Sequence, residues 1–329
     1  MTIHIVPVGL SLADTLSQSK ANGSNVLRET KKQWKDSQLG FCPKTCDIST
    51  LLHNALGDGV TAQGSEADLQ KLEKVTTEHE IDQWGSQNRY SAELDAMKAE
   101  DPNLNSDDLI LLLASDTHDG LLCAALNALA LAKGDLDLIW YRHSVEVWPQ
   151  KETGDSHKKD LVRFHRRQII IVCVNNLDVK TKDGFNVALK DLTSLGDVLT
   201  GGPEKGTEKI HRDDKEEVRF HLTGGYRTTL PYLLAVAEWV KSLSKNPVSA
   251  HLIPEKDTKS TRIPLRWLNE DQVRSELNRF SPEGHCGQTL PNSYLLGYAY
   301  EEYQPGNYRL TEFGTNMRRL FSYHKESVR

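Results

Sequence analysis

Three apolar runs in this sequence each end in small and polar residues able to hold an anion. The richest is Thr223-Gly224-Gly225-Tyr226-Arg227-Thr228, directly after the alternating Val218, Phe220 and Leu222. Gly224 and Gly225 let the chain turn sharply and approach a ligand with no Cβ in the way. Thr228 or Thr229 can cap the helix that follows, and Pro231 suits its first turn. A helix N-terminus leaving such a turn presents free N–H groups and the positive end of a dipole, which suits phosphate or carboxylate. The same residues would also serve a tight strand–helix connection with no ligand. Gly9-Leu10-Ser11 follows the opening run Ile3–Val8, and Ser115-Asp116-Thr117 follows Asp108–Ala114. None of the three is GxGxxG or a P-loop, so a dinucleotide cofactor is not expected.

The elements that must position these residues alternate between strands and helices. Ile3–Val8, Asp108–Ser115, Leu136–Tyr141, Gln168–Val174, Val218–Leu222 and Val248–Ile253 read as strands. Val145–Trp148 reads as an extension of the third. Asp108–Ser115 and Gln168–Val174 are continuous apolar runs, as in strands buried on both faces of a parallel sheet. Helices are expected over about 66–84 and on to about Ala99, then over about 121–132, 185–199 and from about Pro231. The charges of the helices before Ala99 read as a solvated face. The loops are placed at 151–160 and 201–217. This order makes an α/β, doubly wound parallel sheet, in which ligands bind at the carboxyl ends of strands.

After Ile253 the character changes. Pro254–Thr261 reads as a linker, and Leu268–Phe280 as a helix capped by Asn269. A turn at Pro305-Gly306 with a strand at Tyr308–Leu310 behind it, then an amphipathic helix bearing Met317, Leu320 and Phe321, suits a small winged helix-turn-helix module. The segment would otherwise be a packing or dimer element. The expected division is 1–254 and 255–329.

The net charge of −6 argues against a broad electrostatic grip on nucleic acid. The segment from Lys256 onward carries eleven Lys and Arg against nine Asp and Glu, too few for a DNA binder on charge alone. Five scattered cysteines fit a reducing cytoplasm, the expected location. Cys42 and Cys46 lack a second ligand pair at zinc-finger spacing, so no metal is expected there. No apolar run is long enough to span a membrane, and the N-terminus lacks the pattern of a signal peptide.

Gly9-Leu10-Ser11-Leu12, Gly64-Ser65-Glu66-Ala67, Ala114-Ser115-Asp116-Thr117 and Leu222-Thr223-Gly224-Gly225-Tyr226-Arg227-Thr228-Thr229 resemble, in order, the motifs of the CARF domain. This is the CRISPR-associated Rossmann fold of type III systems. The tail Tyr308–Gly314 resembles the winged-helix segment often attached to it. The resemblance implies a Rossmann-like sheet and a cytoplasmic homodimer that binds a cyclic oligoadenylate, most closely cyclic tetra-adenylate, across its two-fold axis in antiviral signalling. Gly9, Leu10 and Ser11 would lie beneath the ring. Ser115, Asp116 and Thr117 would line the nucleotide pocket. Gly224, Gly225, Tyr226, Arg227 and Thr228, introduced by Thr223, would hold phosphates. The family more often has lysine where this chain has Arg227.

Two outputs follow from the resemblance for a sensor: DNA binding through the winged helix as a transcription regulator, or control of an attached ribonuclease effector. A ring nuclease that destroys the signal is the enzymatic alternative. That chemistry needs no metal or cofactor, and its candidates are Ser11 and Arg227. No Arg-x4-6-His nuclease helix is apparent; the nearest spacing, Arg319 to His324, follows the closing helix with no bundle around it. An effector domain is therefore expected only beyond Arg329. A small-molecule α/β enzyme unrelated to CRISPR is the third reading, without a triad, metal cluster or cofactor fingerprint to support it.

Overall fold

The apolar runs assemble into one large sheet in a computed structural model, which describes residues 1–12, 48–56, 70, 72–73, 76, 91–101, 104–145, 167–200, 216–254, 259–287 and 293–323. Its strands are β1 (Thr2–Pro7), β2 (Leu109–Ser115), β3 (Ile139–Arg142), β4 (Gln168–Val174), β5 (Glu217–His221), β6 (Val248–Leu252) and β7 (Thr261–Ile263). They lie in the order β3-β4-β2-β1-β5-β6-β7. All neighbours are parallel except β6 and β7. From β1 the chain adds β2 on one side, passes to the edge for β3 and returns to place β4 between β2 and β3. It then crosses to the other side for β5 and β6. The strand order therefore reverses at the β1–β5 pair.

Side-chain alternation along β1 and β2 sorts the core into two layers. Ile3, Ile5, Leu109, Leu111 and Leu113 face one side of the sheet. There they meet α4 (Lys182–Thr200) and α5 (Leu230–Leu243). Val6, Val8, Ile110, Leu112 and Ala114 face the other. That side is covered by α1 (Ile48–Leu56), α2 (Ala92–Glu100) and α3 (His118–Ala132). The result is an α/β fold with a mostly parallel sheet between helical layers. It leaves the loops at the carboxyl ends of the strands to form a site.

Several expected elements shift. The helix after β2 begins at His118 rather than near Leu121, because the Thr117 hydroxyl accepts from Gly120 N at 3.2 Å and caps it. Leu136–Leu138 is a 3-10 turn, not strand, held by the Asp135 side chain accepting from Asp137 N. Thr229 takes the N-cap position of α5, but its side chain makes no capping bond. Arg227–Thr229 forms a 3-10 turn in which the Thr229 hydroxyl donates to Tyr226 O at 2.7 Å, while Pro231 sits in the first turn as expected. The helix Ile48–Leu56 lies where the sequence shows no clear regularity. The Gly64–Ala67 motif, Cys42 and Cys46, most of the helix over 66–84, the extension to Trp148, His324 and the loops over 151–160 and 201–215 fall outside the described residues.

Residues beyond 254 lean on the sheet. β7 pairs with β6 and extends it, beginning at the last residue of the expected linker. Arg266 donates two hydrogen bonds to the buried Glu238 carboxylate of α5, from Nε at 3.0 Å and from Nη2 at 2.7 Å. Asn269 caps α6 (Glu270–Leu277), as expected. A second sheet of β8 (His285–Cys286), β10 (Asn307–Leu310) and β9 (Tyr300–Gln304) carries the hairpin turn at Pro305–Gly306. The closing helix α7 (Glu312–Tyr323) packs Leu320 against Gly196 of α4, and Arg319 donates to Ser194 at 2.9 Å. Both segments share one apolar core, which includes Val273, Leu277, Met317 and Leu320. Among the described residues no helix lies between β8 and β9.

One polar layer interrupts the apolar packing beneath α2. His4 of β1 and His221 of β5 are fully buried and stacked, with ring centroids 5.2 Å apart. Burial, then the charges of His4, Arg219 and His251, hold His221 well below the usual histidine range. Unfolded, it takes up a proton near its ordinary value of about 6.5. The unfolded chain thus binds more protons as pH falls below that value. This depressed histidine leaves stability intact above the unfolded pKa and removes it toward the folded one. Denaturation midpoints should fall between about pH 7.5 and about pH 5.5, at up to about 1.4 kcal/mol per pH unit. A flat profile would show that His221 carries its proton in the folded chain.

Candidate functional site

The carboxyl ends of β1, β2 and β5 converge at the point where the strand order reverses. Ligands bind at such crevices in open α/β sheets. Gly9, past the end of β1, lies directly against Gly225, past the end of β5. A Cβ on Gly9 would sit 2.9 Å from the Gly225 carbonyl oxygen. Gly225 has φ +84°, and a Cβ there would come within 2.7 Å of Pro7 Cβ. Both the left-handed backbone and the space require glycine. Gly225→Ala should therefore cost about 2 kcal/mol of stability, read from denaturant unfolding. A loss below about 0.5 kcal/mol would show that the turn relaxes freely.

What joins the two loops is a carboxylate. Glu93, in the first turn of α2, is 1% exposed. Its Oε1 accepts from Gly9 N at 2.8 Å and, more loosely, from Gly225 N at 3.4 Å. Its Oε2 accepts from the Ser11 hydroxyl at 2.7 Å. Ser91 Oγ lies 2.8 Å from that oxygen and 2.8 Å from Asn127 Oδ1, with one proton for the two. A buried carboxylate persists only with such donors around it. The Gly9 and Gly225 N–H groups are thus turned onto an internal anion. This corrects one expectation: the charges of α2 are not all a solvated face.

A second cluster of hydroxyls adjoins the first. Buried Ser115 has its Oγ 2.6 Å from Thr117 Oγ1 and 3.2 Å from the Tyr226 hydroxyl. The expected Ser115, Thr117 and Tyr226 are therefore together, at the N-terminus of α3. Asp116 is exposed and accepts from Asn176 N at 3.0 Å. Arg227 and Thr228 are exposed on the 3-10 turn. Leu10 packs partly buried against the α2–α3 side of the core. Thr223 points elsewhere: its Oγ1 accepts from Ile253 N at 2.8 Å and ties the end of β5 to that of β6.

A fourth strand end contributes what the sequence reading missed. After β4 the chain turns through Asn176 and Val179, both in the left-handed region at φ 54° and 42°. Lys180 follows, exposed and ion-paired with Asp178 at 2.5 Å, which raises its pKa. The turn adjoins the expected pocket through the bond from Asn176 N to Asp116. The Asn175-Asn176 pair after an apolar run was the only local signal for this turn. Nothing local singled out Glu93 among the acidic residues of its helix.

No protein-family model matches the chain, and no curated protein shows significant similarity to it. The assignment of function rests on the site. Glycines, hydroxyls, the N-terminus of α3 and the exposed Arg227 and Lys180 are grouped on the loops at one end of the sheet.

Proposed function

We propose that this chain is a CARF-type sensor of a cyclic oligoadenylate, with cyclic tetra-adenylate the first ligand to test, acting as a homodimer in type III CRISPR signalling. The observation that carries this reading is the contact of Gly9 with Gly225 where the strand order reverses, with Ser115, Tyr226 and Arg227 grouped at the same end of the sheet. Those are the positions the resemblance assigns to ring and phosphates. A Rossmann-like reading of the sheet agrees with its order and direction. A cyclic polyanion with two-fold symmetry would meet two copies of Arg227 and Lys180 in an isologous dimer, which one copy alone cannot offer.

The winged-helix reading rests on the Pro305–Gly306 hairpin between α6 and α7. On the hairpin strand β9 Glu301 is paired with Arg309 of β10 at 2.7 Å, and the exposed Glu302 would repel DNA phosphates. The segment is better suited to packing or to relaying dimer rearrangement than to DNA recognition. Ring cleavage is the second reading. It is favoured by the Ser11 hydroxyl held on the Glu93 carboxylate, a base beside the expected position of a ribose.

Calorimetric titration with cyclic tetra- and hexa-adenylate, with the products followed by chromatography, separates these readings. Binding with one ring per two chains supports the sensor. No binding of either ring overturns both readings. Intact ligand after hours overturns the nuclease. A promoter fragment that shifts only with ligand would restore the DNA-binding output.

A further inference from the structure

A second constellation lies at the opposite end of α2, away from the ligand site. His4 of β1, Asp108 just before β2 and Asp101 just after α2 bring one donor atom each to within 4.8 Å of one another. His4 and Asp108 are fully buried, and Asp101 is partly so. The His4 Nδ1 and His221 Nε2 atoms lie 3.0 Å apart, so one proton is shared between the two rings. The second nitrogen of His4, Nε2, makes no hydrogen bond among the described residues and faces Asp108 Oδ2 at 3.6 Å. When Nδ1 carries the proton shared with His221, Nε2 is a lone pair.

Asp108 is itself held in place. Its Oδ1 accepts from Thr2 N at 2.8 Å and its Oδ2 from Asn105 N at 2.7 Å. Each oxygen keeps a further lone pair. A buried lone pair facing two carboxylates is repulsive unless a cation sits among them. A proton would satisfy one pair of atoms; three donors converging on one point suit a metal ion. Bonds of about 2.0–2.2 Å in a tetrahedron separate neighbouring ligands by about 3.4 Å, close to the His4–Asp108 spacing. A ligating histidine whose other nitrogen is fixed by a hydrogen bond is the usual arrangement.

We propose that His4, Asp101 and Asp108 bind a divalent first-row metal ion, zinc foremost, with a fourth position open to water. The ion would tie the start of β1 and β2 to the end of α2. The first turn of that helix carries Glu93, so the metal would also fix the register of the carboxylate that closes the Gly9–Gly225 site.

The test uses the full chain stripped with chelator and titrated with cobalt chloride, then zinc chloride. One cobalt per chain is expected, with the visible absorption of a tetrahedral ion that zinc abolishes, and zinc should raise the melting temperature. Asp101→Asn lies at a partly exposed helix end and should fold; it should weaken cobalt binding at least ten-fold and remove the zinc-dependent shift. Asp108→Asn should do the same if it folds. Unchanged affinity in Asp101→Asn would mean that only surface histidines bind the ion and would overturn the proposal, as would the absence of binding to the native chain.

Discussion

Replacing Arg227 with alanine should weaken binding of cyclic tetra-adenylate by about ten- to hundred-fold. A charge-assisted hydrogen bond to phosphate contributes about 1.5–3 kcal/mol, and each 1.4 kcal/mol is a factor of ten. Arg227 is exposed on a 3-10 turn closed by the Thr229–Tyr226 bond. Its guanidinium gains little from water-screened neighbours until a ligand covers it. Two copies would meet one ring in the dimer, which amplifies the loss. Arg227→Lys keeps the charge but loses the forked donor geometry, and should recover only part of the affinity. Calorimetry on the three proteins decides the matter. Equal affinities would show that the arginine points away from the ligand, and the phosphate-holding role would then pass to Lys180.

Replacing Glu93 with alanine should cost about 4 kcal/mol of folding stability. The carboxylate is the acceptor for Gly9 N, Gly225 N and the Ser11 hydroxyl, all at a buried junction between β1, β5 and α2. Removing it leaves several donors without partners, each costing about 1–3 kcal/mol when water cannot reach it. Glu93→Gln keeps one carbonyl acceptor, and the two serine hydroxyls can turn round to accept from the amide; its loss should be about half as large. Denaturant midpoints measure both. An anion receptor stripped of its internal anion should also bind an external one. Millimolar inorganic phosphate is therefore expected to raise the midpoint of the alanine variant more than that of the native chain. A loss below about 1 kcal/mol for alanine would show that water replaces the carboxylate at no great cost.

These two residues mark the boundary of what local pattern can reveal. Arg227 was legible because it belongs to a contiguous stretch, strand then Gly-Gly then helix, whose backbone path follows from its own residues. The six parallel strands were legible in the same way. Continuous apolar runs such as Leu109–Ala114 have no other stable place than a sheet covered on both faces. The reading failed where an outcome hung on a distant partner. Thr229 has the chemistry of a helix cap, yet its hydroxyl finds the Tyr226 carbonyl first. Thr261–Ile263, at the end of the expected linker, carries no strand signal of its own, yet an open sheet edge at β6 recruits it.

By itself the sequence determined the alternation of strands and helices, the glycines at the strand ends and the change of character after residue 254. Local sterics and the period of apolar residues specify those within a few residues of chain. Only the tertiary structure decided that Ser11 meets a carboxylate 82 positions away. It also decided that His4 and His221, 217 positions apart, share a buried contact. Hydrogen-bond partners across such distances are chosen by which side chains the packed layers bring to one dry point. No spacing along the chain encodes that.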